Sequence, residues 1–545
     1  MTITRIAFAL LFCASTQLAA QTPTPAADFM LPTPAEPFDE PLARNVSAIS
    51  ASALASHVTF LASPSMEGRA LGTRGLDAAI EYAASTLKLS GLTPFGGGES
   101  KEATWFQLVP LRHLSGIGGS IEIERRDRDL TAMRTFTSGV DCLFSALPPQ
   151  MLKAPVVFAG FGIREPQLGR DDYAGLDVHG RIVMILEGVP PGAEWQKPGL
   201  VSRYASKSPR ERYTAKVETA RKLGAAAVLA VEDEGFATKM AANVADAESA
   251  FLPYDRDAAQ ESPALVRVSR TVARAVVGEE LLEAARKGDL RRAPGTESIA
   301  TIRVTGVQSL IVSRNVLAVI TGSDPALRNE AIVLGAHIDH LGLIGGAMHP
   351  GADDNASGTA ALLEIARTFA ASPVKSKRTL VFALWTGEEE GHLGADFYAK
   401  HPRWPLQHTA AYLNLDMIAH PWLAAEIRKL VTDSNLPDGE AFLTRVSAES
   451  FVEPGVPRGV PALETALRRS ARGNALAMHI DWTDGKHGGS DYREFAREGI
   501  PFIRFFGNFF PDYHEPGDTA DRVDPAQIQR VARFAFATAW ELANR

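Results

Sequence analysis

Three short apolar runs in the C-terminal half of this chain end on residues of the types that can bind metal ions. The run 331–336 leads into His337-Ile338-Asp339-His340, the run 379–385 into Gly387-Glu388-Glu389, and the run 410–415 into Asp416. A fourth group, Asp353-Asp354-Asn355, lies in a Gly-rich loop (351–358) that opens the next helical stretch. Carboxylate oxygens and imidazole nitrogens hold hard and borderline divalent cations, and a set without thiolate suits zinc in a catalytic role that leaves coordination positions open. Two such ions about 3.5–4 Å apart need a bridging carboxylate and roughly two further ligands each. The chain offers Asp354 as the bridge, His337 with Asp416 for one ion, and Glu389 with His514 for the other.

Neighbours on an extended segment point to opposite sides, so Glu389 can ligate while Glu388 faces water held between the metals and serves as general base. Asp339, two residues beyond His337, is placed to accept a hydrogen bond from the ring nitrogen that is not bound to metal and so to orient that ligand. Taken singly, each feature has a plainer reading. A Glu-Glu pair is usually a solvated surface, and Asp-Asp-Asn in a Gly-rich loop is usually a turn or a helix cap. It is the conjunction of five candidates at strand ends and in loops that argues for a site. His349, His392, His420, His479 and His487 lack such a context and are expected to be surface or core histidines.

The elements that must position these residues are legible around them. The apolar runs 316–320, 331–337, 379–385, 410–415 and 500–505 have strand length and no alternation, which marks a sheet covered on both faces. Helical stretches lie between them: Leu362, Leu363, Ala366 and Phe369 share a face, and Asp524-Pro525 is an N-cap followed by the proline tolerated at the first helical position. The expected fold is α/β, a three-layer α/β/α sandwich on a mixed, mainly parallel central sheet. Open sheets of this kind carry their sites beyond the strand ends, where the four groups stand. Further upstream, helical segments at 52–61 and 75–89 flank a turn-rich stretch at 63–75. The block 130–300 has its own runs (156–161, 182–186, 225–231) and a helix, 215–223, ending at Gly224. That block has no cluster of His and paired acids and is expected to be a smaller, β-rich inserted domain without chemistry of its own.

A length of 545 residues exceeds one ordinary domain. The expected division is a signal peptide at 1–20, a linker at 21–45, a first part of the main domain at 46–125, the insertion at 130–300 and a second part, which carries the candidate site, at 305–545. With 45% apolar and 22% charged residues and a mean hydropathy of −0.05, neither global disorder nor a membrane-embedded body is indicated. A formal charge of −8 without Lys/Arg runs gives no footprint for nucleic acid. Arg5, an apolar core at 6–14 and a small-residue ending at Ala20 have the layout of a secretory signal, too short to span a bilayer. The expectation is a secreted or periplasmic protein, cleaved near Ala20 and not inserted in the membrane. Lipid anchoring at Cys13 is disfavoured by the bulky Phe12. After cleavage only Cys142 remains, so no disulfide can form within the chain.

In order, Gly335-Ala336-His337-Ile338-Asp339-His340, the loop 351–358, Gly387-Glu388-Glu389, Asn414-Leu415-Asp416-Met417-Ile418, Gly489-Ser490-Asp491 and Tyr513-His514 with Asp518-Thr519 resemble the co-catalytic zinc aminopeptidases that include bacterial leucyl aminopeptidase and aminopeptidase Y, relatives of glutamate carboxypeptidase. Glu67-Gly68-Arg69 is similar to a segment near the start of that family. The resemblance covers about 46–110 and 305–545. It implies the same ligands and base, two zinc ions per chain, peptide or protein substrates, and a hydrogen bond from Tyr513 to the developing oxyanion. The middle block resembles a protease-associated domain on 157–163, 172–178 and 222–229. His392 stands where the family often has Leu. Alternative readings on the same scaffold are a carboxypeptidase or dipeptidase, a single-zinc glutaminyl cyclase, and a non-catalytic binding protein. A serine hydrolase is excluded, since no Gly-x-Ser-x-Gly follows any of the expected strands.

Overall fold

The structure, a computed structural model, describes residues 28–32, 36–97, 104–127, 130–144, 148–205, 212–232, 249–255, 264–289, 298–486 and 488–545. The expected signal peptide lies outside the described residues. The elements that position the site are, in chain order, α1 (Ala51–Leu61), α2 (Arg74–Leu89), β1 (Phe106–Asp127), β2 (Gln150–Phe158), β3 (Ile182–Leu186), α3 (Thr214–Lys222), β4 (Ala227–Val231), β5 (Ala264–Val268), β6 (Ser298–Ile320), β7 (Ala331–His337), α4 (Gly358–Ala371), β8 (Thr379–Trp385), α5 (Leu393–Lys400), β9 (Thr409–Leu415), α6 (Tyr492–Arg497), β10 (Phe502–Phe505) and α7 (Pro525–Asn544).

The strands β10, β9, β7 and β8 lie side by side and parallel, and the C-terminal end of β6 closes this part of the sheet antiparallel to β8. The register pairs Ala331 with Thr379 and His337 with Trp385, so β7 and β8 end level and deliver their following residues to one place. Alternate residues serve the two faces, as strand geometry requires. Ile332, Leu334, Phe382 and Leu413 pack under one helical layer containing α1, α2, α4 and α7, while Val333, Val381, Trp385 and Tyr412 pack under the other with α5 and α6. Both faces are therefore apolar, which is why these strands read as unbroken hydrophobic runs. Side-chain caps start the flanking helices: Ser50 accepts from Ala53, Thr73 from Leu76, and Asp524 from Ala526 ahead of Pro525.

A second core is built around β2, β3, β4 and β5, which run parallel to one another. Ile182, Met184 and Leu186 face one side of it, and Val183 and Ile185 face the other against Val217 and Ala220 of α3. The link between the two cores is a ribbon of β1 and β6, paired antiparallel from Ser298 with Arg125 to Val316 with Phe106 and interrupted by a bulge at Gly306. The N-terminal half of β6 pairs with β2 and its C-terminal end with β8. Among the described residues, no helix is long and apolar enough to cross a membrane.

Candidate metal centre

The residues that follow β7, β8 and β9 converge with the loop before α4. In that loop the two outer polar residues bind backbone and the middle one faces inward. Asp353 accepts from the Ala419 amide at 2.8 Å and the Ser357 hydroxyl at 3.1 Å, and Asn355 donates to the Leu415 carbonyl at 3.0 Å. The Asp518 carboxylate receives the amides of Asp353 and Asp354 at 2.8 and 3.1 Å. From below, the buried guanidinium of Arg69 donates to the carbonyls of Leu61, Ile338, Pro350 and Gly351 at 2.7–2.9 Å, tying the exit of β7 to this loop. With its neighbours so occupied, Asp354 is the carboxylate left to the site.

Asp354 turns Oδ1 toward His337 Nε2 at 3.4 Å and Oδ2 toward His514 Nε2 at 3.0 Å. Asp416 Oδ1 is 3.2 Å from His337 Nε2, and Glu389 Oε2 is 3.4 Å from His514 Nε2. The structure thus brings all five sequence candidates together, as two groups that share Asp354. Two atoms bound to one tetrahedral ion at about 2.0–2.1 Å lie about 3.3 Å apart; ligand atoms of His337, Asp354 and Asp416, and of His340, Asp354 and Glu389, are mutually close enough to share a cation, with His514 beside the second group. The charges fit as well. Burial works against every ionised group here, yet hydrogen bonds from His337 and His514 hold Asp354 well below the usual carboxylate range. The same balance, with His340 and His514 outweighing burial and Asp354, brings Glu389 down to about 2. Burial would lower the pKa of His514, but Asp354 and Glu389 lift it to about 10. The cluster draws in positive charge.

Asp416 has its second oxygen held by the Ser490 hydroxyl at 2.6 Å, and Ser490 is reached by Asn414 (2.8 Å), Asn414 by Tyr412 (2.8 Å) and Tyr412 by Trp385 (2.9 Å). This buried chain of donors fixes one oxygen of the ligand and leaves the other to His337. The Nδ1 of His337 is nearer to the backbone carbonyl of Asp339, at 3.2 Å, than to its carboxylate, at 4.0 Å. That carboxylate instead takes the amides of Glu388 and Glu389 at 3.1 and 3.2 Å, clamping the turn that carries both acids. Burial, opposed by His337, pushes the Asp339 pKa up to about 7. Tyr513 stacks on His514 with ring centroids 3.8 Å apart. Burial, with Asp354 and Glu389 nearby, raises its phenol, which therefore keeps its proton.

Two further residues belong to the site. His340 Nδ1 lies 2.9 Å from Glu389 and 3.8 Å from Asp354, and its Nε2 has no hydrogen-bond partner. The sequence signal for it was its place in the same His-x-x-His run after β7. Asp491 is buried with neither carboxylate oxygen hydrogen-bonded, and burial together with Glu388 drives its pKa well up.

Residues 315–539 match peptidase family M28. Leucine aminopeptidase 2 of Arthroderma otae is 29% identical over 231 residues, 41% of this chain and 44% of that one, so the chain spans less than half the length of this curated relative. A probable lipoprotein aminopeptidase of Mycobacterium tuberculosis, LpqL, is 24% identical over 84% of this chain and 77% of its own length. Among solved structures, an aminopeptidase from Aneurinibacillus sp. strain AM-1 shares the fold, with a TM-score of 0.51 and 20% identity over 92% of this chain and 95% of that one. Every ligand candidate, together with Glu388, Asp339 and Tyr513, falls within 315–539, the segment that matches peptidase family M28.

Proposed function

We propose that the protein is an exported aminopeptidase that holds two zinc ions and removes residues from the N-termini of peptides or proteins. The observation that carries this reading is Asp354, a single carboxylate with one oxygen toward His337 and the other toward His514. It supports Asp354 as the bridge, His337 and Asp416 on one ion, and Glu389 and His514 on the other. The Nδ1 of His340, at hydrogen-bond distance from Glu389, then steadies that ligand. The aminopeptidase names of the relatives point to the same reaction, and the middle block, 130–300, is assigned as a protease-associated unit without catalytic residues.

Bound zinc would polarise the scissile carbonyl and lower the pKa of water at the site. The protein's own residues do the rest. Glu388 accepts the proton of the attacking water and delivers it to the leaving amine. Tyr513, its hydroxyl kept protonated, donates to the carbonyl oxygen as it becomes negative. Asp339 holds the Glu388 and Glu389 amides, so that one carboxylate faces metal and the other faces water.

The test is elemental analysis beside a panel of aminoacyl-anilides, free and N-acetylated, before and after chelation. Two zinc ions per chain, refusal of acetylated substrates and loss of turnover on chelation are expected. Glu388→Gln should keep its metal and lose about 10²–10⁴ in kcat, while Asp354→Ala loses metal too. One ion per chain, or activity that survives chelation, overturns the proposal. N-terminal sequencing of the mature protein checks cleavage near Ala20.

A further inference from the structure

His392 stands in the turn between Glu388 and α5. Its backbone is left-handed, with φ +63°, and its amide and that of Gly391 both donate to the Glu388 carbonyl at 2.8 Å. This turn swings the ring back over the acid that precedes it. Nε2 lies 3.3 Å from Glu388 Oε1, and Nδ1 lies 3.2 Å from Glu494 Oε1 on α6. All three side chains are buried. Glu494 is itself held from the outer side by Arg493 at 2.8 Å and Arg497 at 3.2 Å.

We infer that His392 is a positioning residue for Glu388, a bridge that anchors the acid to Glu494 and fixes which of its two oxygens faces the reacting water. Because Nε2 occupies Oε1, Oε2 is the oxygen that takes the proton. A carboxylate on a two-torsion stem has freedom that must be removed for proton transfer to be efficient, and a buried ring between two acids removes it. Burial alone would lower the imidazole pKa, but its hydrogen bonds to Glu388 and Glu494 raise it to about 9, so both ring nitrogens donate at neutral pH. His392 passes no proton to substrate. It acts through Glu388, so this inference rests on Glu388 as the general base.

His392→Asn tests it, since Asn tolerates a left-handed backbone and is too short to reach Glu388. The expected result is a loss in kcat of about ten- to a hundredfold with KM and metal content unchanged. His392→Gln, which can still reach Oε1, should recover part of that loss. Glu494→Gln, nearly isosteric and outside the metal centre, should lower kcat in the same direction, and the His392→Asn/Glu494→Gln double variant should be no worse than His392→Asn. A His392→Asn enzyme within about twofold of wild type in kcat overturns the bridge, as do losses that add in the double variant. Glu388→Gln in the same assay separates the two levels of the argument. If it is inactive while His392→Asn is unimpaired, only the bridge is wrong; if it is fully active, the assignment of the base fails and the bridge with it.

Discussion

Arg69 shows how a single residue far in sequence from the ligand candidates sets the loop that presents one of them. Its guanidinium is buried and all of its hydrogen bonds run to backbone carbonyls, two of them at Pro350 and Gly351 on the edge of the loop that presents Asp354. Burial pulls its pKa down to about 10 against the surrounding carboxylates, so it remains a cation at physiological pH. Arg69→Met would leave three carbonyls (Leu61, Ile338 and Pro350) without a donor, Gly351 keeping the amide of Ala356, at about 1–3 kcal/mol for each that water cannot reach. The expected outcome is a destabilisation of at least about 3 kcal/mol and weaker metal binding, read by urea unfolding and by zinc titration; an unchanged unfolding midpoint would remove Arg69 from this role. The sequence points to Arg69 only through family resemblance, because its partners are all main-chain atoms, three of them 269 to 282 positions away, and leave no mark on side-chain patterning. The five ligand candidates were legible for the opposite reason: their residue types are themselves the chemistry. His392 lay between these cases. Its partner Glu388 is four residues away, but the other, Glu494, comes from α6 and is visible only in the fold.

At the level of elements, β7 and β8 begin and end where their apolar runs do, since both faces are covered and no polar residue breaks the pattern. The reading of β6 found only its last five residues, 316–320, of a strand that starts at Ser298. From 305 to 313 most of that strand is exposed, with Val307, Leu310 and Val312 outward, and pairing with β1 rather than burial makes it a strand. Hydrophobic periodicity cannot report a segment whose order comes from main-chain bonds. Packing within β7 has a consequence for the metal. A Cβ on Gly335 would collide with Tyr412 Oη and Trp385 Nε1, the first link of the donor chain that ends on Asp416. Gly335→Ala should therefore destabilise the fold by about 1–3 kcal/mol through overpacking. It should also loosen zinc about tenfold or more through Asn414 and Ser490. Denaturation and metal titration check the two effects separately, and loss of stability with unaltered zinc affinity would show that the donor chain does not tune Asp416.

Across the whole molecule, ionisable groups are buried around both cores, but they are used differently. Near the core around β7, β8 and β9 they face one another around Asp354, whereas in the second core they are spent on structure. Glu232 pairs with Arg267, and Lys216 on α3 donates to the carbonyls of Leu186 and Gly188 at 2.9 and 2.6 Å with Phe161 beneath it. No cluster able to hold a metal lies there among the described residues. Burial, opposed by Asp172 and Glu187, lowers the pKa of Lys216 from 10.5 to about 7. Between those values the unfolded chain keeps a proton on this lysine that the folded chain has released. Unfolding therefore takes up protons, and the contribution of Lys216 to stability rises as pH rises from about 7 toward 10.5, by up to about 1.4 kcal/mol per pH unit. Below pH 7 the folded state carries the whole cost of a buried ammonium. Lys216→Met removes the titration while keeping most of the stem's packing, so wild type should gain on the variant by roughly 2 kcal/mol between pH 7.5 and 9. Urea unfolding of both proteins at the two pH values measures that difference directly. A gap that stays constant with pH would mean that the two carbonyls solvate the ammonium well enough to leave its pKa near the ordinary value.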